Sequence, residues 1–291
     1  MHFIKKHSGK WAVNRLCNTL KVTEAGYYKF LRNPDKPDKH EALLAQIHHI
    51  IQEEPENANY GVQRLYLALR NNYGYEGSLS TIYRVCRENN LLIQRKTSTR
   101  GITKADTSAQ KSENLLQQDF TAAAPNQKWL TDITEIPCND GKLYLAPILD
   151  CYDGAIVAFS IAEHMKAELC ADVFKQACRK EKAQGMIIHS DRGSQFTSSL
   201  FRTELSKHGA IQSMSGVGRC YDNARMESFF ATLKKEKLYQ MDTRKMSKTS
   251  VRTEIYRYIH YYNLRRIYST NDGWPPLQYR QQYYEQLAIA N

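Results

Sequence analysis

Three acidic residues stand where a carboxylate needs a reason. Asp132 interrupts an apolar, β-branched run, Trp129-Leu130-Thr131-Asp132-Ile133-Thr134. Asp191 follows the short apolar run Met186-Ile187-Ile188-His189 and precedes Arg192-Gly193-Ser194. Glu227 lies 36 positions further on, in a helical pattern that begins at Asp222-Asn223-Ala224. A charge inside a core-like strand is costly unless it is paired or bound to a cation, and a strand end presents a side chain rigidly. Hard divalent cations prefer oxygen ligands. Two such ions about 3.5–4 Å apart can stabilise both the entering and the leaving oxygen of a phosphodiester displacement. Taken singly, each acid has a plainer reading: a turn residue or helix cap for an aspartate, a solvated helix face for a glutamate. Their combination points to a shared site for phosphoryl-transfer chemistry.

Strands and helices in a particular order must position these acids. The pattern predicts strands over Trp129–Ile136, Lys142–Leu149 and Ala155–Ile161, the first two joined by the turn sequence Asn139-Asp140-Gly141. An amphipathic helix over Ala167–Lys182 follows, then a strand at Met186–His189, a helix at Ser199–His208, a strand at Ala210–Met214 and a long helix at Asp222–Leu238. Three strands followed by helix, strand, helix, strand, helix is the order of the ribonuclease H-like fold, a mixed five-stranded sheet with helices. Asp132 and Asp191 then sit on strands and Glu227 on the last helix. Asp222 reads as that helix's N-cap, and His189 as a packed strand residue rather than a general base. Ser194 and Gln195 read either as phosphate contacts or as a cap for the next helix. Lys234, seven residues beyond Glu227, falls two turns on along the same face.

The flanks are helical. Val13, Leu16, Cys17 and Leu20 recur at helical spacing, with Thr23 as the N-cap of the next helix, before the break at Pro34 and Pro37. Leu43, Leu44, Ile47, Ile50 and Ile51 form a second apolar stripe, Val62, Leu65, Tyr66 and Leu69 a third, and Ser80 is placed to cap a helix carrying Ile82, Val85 and Cys86. Short helices with tight turns suit helix-turn-helix modules. The expected organisation is a helical helix-turn-helix DNA-binding region over 1–93, an exposed basic linker over 94–124, a catalytic core over 125–238, and a basic, aromatic helical tail over 239–291. That tail holds nine tyrosines (239, 256, 258, 261, 262, 268, 279, 283 and 284), which with Arg252, Arg257, Arg265 and Arg266 read as a basic, aromatic surface.

Charge follows the same division. The chain of 291 residues carries a formal net charge of +11, with 42% hydrophobic residues, enough for a packed core. Residues 1–124 hold 18 Lys and Arg against 12 Asp and Glu, residues 125–235 hold 14 against 13, and residues 236–291 hold 9 against 5. A nearly neutral, carboxylate-bearing middle between basic flanks suits a polyanionic partner. The seven cysteines include no CxxC pair and read as reduced thiols of a cytoplasmic protein. His48-His49 lacks cysteine partners for a zinc site. No stretch of about 20 apolar residues predicts a membrane span, no apolar leader follows Met1, and no GxxxxGK[ST] motif predicts ATP binding.

The blocks Trp129-Leu130-Thr131-Asp132-Ile133-Thr134, His189-Ser190-Asp191-Arg192-Gly193-Ser194-Gln195-Phe196 and Asp222-Asn223-Ala224-Arg225-Met226-Glu227-Ser228-Phe229 resemble the three signature blocks of the DDE transposases of the insertion-sequence-three family, relatives of retroviral integrases. Ser213-Met214-Ser215 with Gly218-Arg219-Cys220-Tyr221-Asp222 resembles that family's approach to the third block. Tyr60-Gly61, Arg64-Leu65 and Tyr83-Arg84-Val85 resemble its helix-turn-helix region, and Val13 to Tyr28 its N-terminal segment. One departure is Tyr268, where many relatives place a histidine. The resemblance implies an RNase H-like core in which Asp132, Asp191 and Glu227 hold Mg²⁺ or Mn²⁺, two ions in all. It implies cleavage at the element's ends by water and strand transfer by a 3′-hydroxyl. It also implies a DNA contact at Lys234, whose plainer reading is a surface lysine. Asn223 reads as orienting either the metal site or the DNA, and Arg192, Arg64 and Arg84 are further candidate DNA contacts. Its expected partners are the element's terminal repeats and target DNA, a homo-oligomer assembled on DNA, and an upstream-frame DNA-binding partner or fusion. It places the protein at the bacterial nucleoid. Two other readings compete. A tyrosine recombinase would use the tyrosines and arginines of the tail, but His260 is not followed by an arginine three residues on. A DNA-binding regulator would leave the placed carboxylates without a role.

Overall fold

The apolar runs between Lys128 and Met214 fold into a single sheet. The computed structural model describes residues 1–32, 40–93, 113–216 and 220–290. The expected break at Pro34 and Pro37, residues 94–112 of the expected linker, and Gly218-Arg219 lie outside the described residues. Six strands form: β1 (Lys128–Thr131), β2 (Thr134–Cys138), β3 (Gly141–Asp150), β4 (Ile156–Ala162), β5 (Ile187–Ser190) and β6 (Ile211–Met214). β1 and β2 lie end to end along one edge of β3 in one continuous register, from Trp129 opposite Asp150 to Cys138 opposite Gly141. The sheet therefore has five rows, β4, β3, β1 with β2, β5 and β6. The first three are antiparallel, and β5 runs parallel to both β1 and β6. This is the ribonuclease H-like arrangement.

The sixth strand comes from a cut in the run read as one strand, and Pro147 explains the cut. The shared register sets Pro147 opposite Asp132. Pro147 turns its carbonyl toward this edge, where the Thr131 hydroxyl donates to it at 2.9 Å. Its nitrogen, on the same side, carries no hydrogen, so the ladder cannot run through Asp132.

Alternation along the strands sorts side chains into two cores. Trp129, Ile148 and Ile188 pack with Leu169, Phe174, Phe196 and Phe201, beneath the helices Ala167–Lys180 and Ser199–Lys207. Leu130, Leu145 and Leu149 pack on the other face with Met226, Phe229 and Phe230 of the helix Ala224–Leu233, and with Ile255 and Tyr258 of the helix Lys248–Leu264. The long helix expected over Asp222–Leu238 is a 3₁₀ turn at Cys220–Asn223, the α-helix, and a π-turn at Lys234–Leu238. Within residues 113–124 most side chains are exposed, while Leu116 is buried and the Leu115 amide donates to the Ser213 hydroxyl at 2.9 Å.

The tail is a second correction. Tyr258, Tyr261 and Tyr262 are buried core residues, not surface. Val251, Ile255, Tyr258, Ile259 and Tyr262 recur at three- and four-residue spacing, which makes one helix face. Their hydroxyls find buried partners: Tyr258 donates to Glu236 at 2.9 Å and Tyr261 to Asn57 at 2.9 Å. Arg266 is buried and doubly bonded to Glu236, both contacts at 2.8 Å. Tyr268 packs against Gly154, where a Cβ would come within 2.8 Å of its ring.

By contact, Met1–His49 and Ile50–Asn291 form separate compact units. In the first, helices His2–His7, Val13–Thr19 and Glu24–Arg32 enclose Ile4, Leu16, Cys17 and Tyr27, and the Thr23 hydroxyl accepts from the Gly26 amide at 3.1 Å as expected of a cap. In the second, helices Val62–Tyr73 and Leu79–Glu88 pair up. Ser78, not Ser80, caps the latter by accepting from the Thr81 amide at 3.2 Å. No helix among the described residues is long and apolar enough to cross a membrane.

Arg280 of the C-terminal helix Pro276–Ala290 reaches into the end of the sheet. It contacts Asp153 at 2.6 Å, Asp150 at 2.8 Å and Glu181 at 2.8 Å. Burial and neighbouring Asp153 push the Asp150 carboxyl up to about 6 even with Arg280 opposing them. Arg280→Met leaves two buried acids without their cation and should cost about 3–5 kcal/mol near pH 7, measured by urea denaturation. The loss should shrink as pH falls toward 5, because protonating a carboxyl whose folded pKa is raised removes the unpaired charge.

Candidate active site

β1 and β5 run parallel with Leu130 beside His189. Two residues further along each strand come Asp132 and Asp191, so both acids leave the sheet at neighbouring C-terminal strand ends. Period-two alternation also fixes their side. Trp129 and Ile188 face the Ala167–Lys180 helix, so Leu130 and His189, and then Asp132 and Asp191, face the Ala224–Leu233 helix. Glu227 lies in the first turn of that helix and is exposed.

Two side chains, Asn223 buried and Arg225 half-buried, hold the helix start against the strand. Asn223 donates to the Thr131 carbonyl at 3.3 Å, next to Asp132. Arg225 donates to the Phe120 carbonyl at 3.0 Å and to the Cys151 carbonyl. Asp222 is not the cap expected. It is buried and accepts from Asn114 at 2.8 Å, Gln118 at 3.1 Å and the Gly216 amide at 2.8 Å, fastening the segment before β1 to the helix entrance.

The acids share one electrostatic neighbourhood. Burial, then Asp191, then Glu227 push the Asp132 carboxyl up to about 7, against the Ile133 amide and Lys234. Desolvation also raises Asp191, itself an exposed residue, although the Gly193 amide donates to it at 2.9 Å. A side chain at Gly193 would bring a Cβ within 3.1 Å of the same Asp191 oxygen. The Asp132 oxygen that accepts from Ile133 does so at 2.7 Å. Each aspartate thus has one oxygen fixed by its own turn and a second with no hydrogen bond of that kind.

Among the described residues, no three His, Cys, Asp or Glu side chains converge into a ready-made cation cage. Asp132 is near enough to Asp191 and Glu227 for their charges to raise its carboxyl. The residues fit a hard cation in kind. They offer carboxylate oxygens at the mouth of the sheet, beside Asn223 Oδ1, the one buried side-chain polar atom among the described residues without a hydrogen-bond partner.

The other predicted residues separate into two groups. Lys234 opens the π-turn and lowers the Asp132 pKa, so it belongs to the same neighbourhood. Arg84 is exposed on the helix Leu79–Glu88. Arg64 is held by Glu236 at 2.8 Å and lies over the Tyr60 ring, and Arg192 donates to the Ser215 carbonyl at 2.6 Å. His189 is buried between the Ser213 and Ser215 hydroxyls at 2.8 and 3.1 Å, and burial holds it down to about 4, so it is a neutral structural residue at pH 7. Ser194 begins a short helix, and Gln195 donates to the Met165 carbonyl at 3.0 Å. Asp222's role, the Arg225 anchor and Pro147 were not anticipated. Of these only Pro147 carries a local signal, a proline in mid-strand.

Comparison with known proteins agrees with this architecture. Residues 122–220 and 208–276 match models of the integrase core domain, and residues 38–98 match an HTH-like domain. The putative transposase InsK for insertion sequence element IS150 of Escherichia coli K12 is 32% identical over 279 residues, covering 94% of this chain and 95% of the relative. Transposase InsF for insertion sequence IS3A of the same strain is 31% identical over 281 residues, covering 95% and 96%. Among solved structures, the HTLV-2 integrase catalytic core domain in complex with magnesium aligns over 55% of this chain and 99% of its own, at 18% identity and a TM-score of 0.42. With nearly a third of its residues identical to such relatives along almost the whole of both chains, this protein belongs to the DDE transposases of the insertion-sequence-three family.

Proposed function

We propose that the chain carries out insertion-sequence transposition by metal-dependent DNA cleavage and strand transfer at the element's ends, with Asp132, Asp191 and Glu227 as the catalytic and metal-holding residues. One observation supports this reading most: parallel β1 and β5 deliver two aspartates to one edge, facing the helix that bears the glutamate. The free oxygens of Asp132 and Asp191 and the Glu227 carboxylate would hold Mg²⁺ or Mn²⁺, as two ions. Bound there, such ions activate the attacking oxygen, water or a 3′-hydroxyl, and stabilise the leaving one. Asn223 keeps the Glu227 helix against the Asp132 strand, and Lys234 offers its ammonium to the DNA backbone at the rim. Arg84 of the helix-turn-helix pair is a further phosphate contact. Arg64, paired with Glu236, and Arg192, bonded to the Ser215 carbonyl, hold structure. The partners are the terminal repeats, target DNA and further copies of the chain assembled on DNA, with an upstream-frame protein or fusion supplying further end recognition. The protein works at the nucleoid and without ATP.

Asp132→Asn should lower cleavage and strand transfer on end-bearing oligonucleotides in Mg²⁺ by about a thousandfold or more, while DNA binding measured by gel shift stays within about twofold. Retained chemistry in this variant would remove the triad from the mechanism.

The same substitution has a second, opposite signature. A carboxyl whose folded pKa is raised to about 7 destabilises the metal-free fold above that pH, and the penalty vanishes as pH falls toward the unfolded value. In chelator at pH 8, Asp132→Asn should therefore raise Tm by about 2–4 °C, with no difference near pH 4. A lower Tm for the variant at pH 8 would count against the crowded-acid picture.

Affinity for end DNA should fall linearly in log–log terms with salt, and Lys234→Ala or Arg84→Ala should each reduce that slope by about one. Arg64→Ala should act on thermal stability instead. A slope unchanged by the first two would exclude them as phosphate contacts.

A further inference from the structure

The N-terminal unit carries a feature with no part in the chemistry above. It precedes residue 38, where the matched family segments begin. Residues 1–23 contain Lys5, Lys6, Lys10, Arg15 and Lys21 and not one acid. The helix His2–His7 buries Ile4 completely against Leu16, Cys17 and Tyr27, and turns Phe3 outward, 54% exposed. The Phe3 ring lies 4.4 Å from the His7 ring, which lies 5.6 Å from the ring of Trp11, itself 45% exposed. The Lys10 ammonium sits 5.6 Å from the Trp11 ring centre. Three aromatic rings thus form a ladder on the outside of the module.

Leaving Phe3 and Trp11 in water is unfavourable, and an exposed ring cluster of this kind marks a contact surface. Its charge selects the occupant. A lysine-rich stretch, 1–23, without an acid complements a polyanion, and flat rings with open faces complement other flat π systems. A DNA duplex offers phosphates but keeps its base faces stacked. Unpaired nucleotides offer both. Base–aromatic stacking beside basic side chains is the general means of holding single strands without regard to sequence.

We propose that Phe3, His7 and Trp11, with Lys10, form a stacking platform for unpaired nucleotides of a DNA strand. The inference goes beyond the transposition reading and is independent of the triad. A chain without cleavage activity would still bind through it.

The test uses the full chain and three ligands at equal phosphate number: an oligothymidylate of about fifteen nucleotides, an abasic strand of that length, and a duplex. Trp129 is fully buried and Trp274 is partly buried, so Trp11 is the most exposed indole and its fluorescence reports stacking. The oligothymidylate should quench it and bind at least about tenfold tighter than the abasic strand. Trp11→Ala and Phe3→Leu should each remove about tenfold of that preference, leave abasic affinity unchanged, and leave the circular dichroism spectrum as it was. Phe3→Leu keeps apolar bulk and removes only the π face. Asp132→Asn should retain the full preference, so failure here and failure of the triad reading are told apart. Equal affinity for intact and abasic strands would overturn the proposal. So would a loss of self-association in Trp11→Ala with oligonucleotide preference intact, since the ladder would then be a contact between copies of the chain.

Discussion

Two strands that run in the same direction, held with Leu130 beside His189, must end on the same side of a sheet. Whatever follows each strand by two residues emerges there together and on one face. This register places Asp132 and Asp191 side by side without any contact between them, and it makes their mutual repulsion unavoidable. The rest of the core answers to that pairing. The Trp129 and Phe174 side supports the strands from below, Asn223 and Arg225 hold the Glu227 helix above, and Gly193 lets the chain turn away closely enough to steady one Asp191 oxygen.

A second centre, Glu236, ties distant parts of the chain to the same helix. Its carboxylate receives Arg64 from the helix-turn-helix pair, Arg266 from the tail, and the Tyr258 hydroxyl. These cations hold it below the usual carboxylate range despite burial. Glu236 sits in the π-turn that Lys234 opens, a local widening of the helix of a kind often found at functional sites. Lys237 in the same turn pairs with Glu56 at 2.9 Å and Glu254 at 2.8 Å. The turn is therefore gripped from both sides while its first residue faces the acids.

Much of this was legible in residues. The strand and helix order came from alternation and three- to four-residue spacing, which are local properties, and it predicted the sheet correctly apart from one cut. The acids were legible because a charge in Trp129–Thr134 violates the pattern around it. What failed depended on distant partners. The tail read as a basic aromatic surface because Tyr258, Tyr262 and Arg266 are ambiguous by type. Packing of Tyr262 on Phe229, and the bonds of Tyr258 and Arg266 to buried Glu236, make them core. Asp222 read as a cap because its neighbours Asn114 and Gln118 are more than a hundred residues earlier. Ser80 lost the capping position to Ser78 by two residues, within the ordinary uncertainty of helix starts.

The gap in the first strand has a consequence for how such a sheet can change over generations. The opening at Asp132 is written on the neighbouring strand, as a missing hydrogen on the nitrogen of Pro147. Any other amino acid there would offer a donor, and the sheet could close its seam across that point. Improvement of the scaffold and upkeep of the acid-bearing edge thus pull in opposite directions at a position that bears no charge.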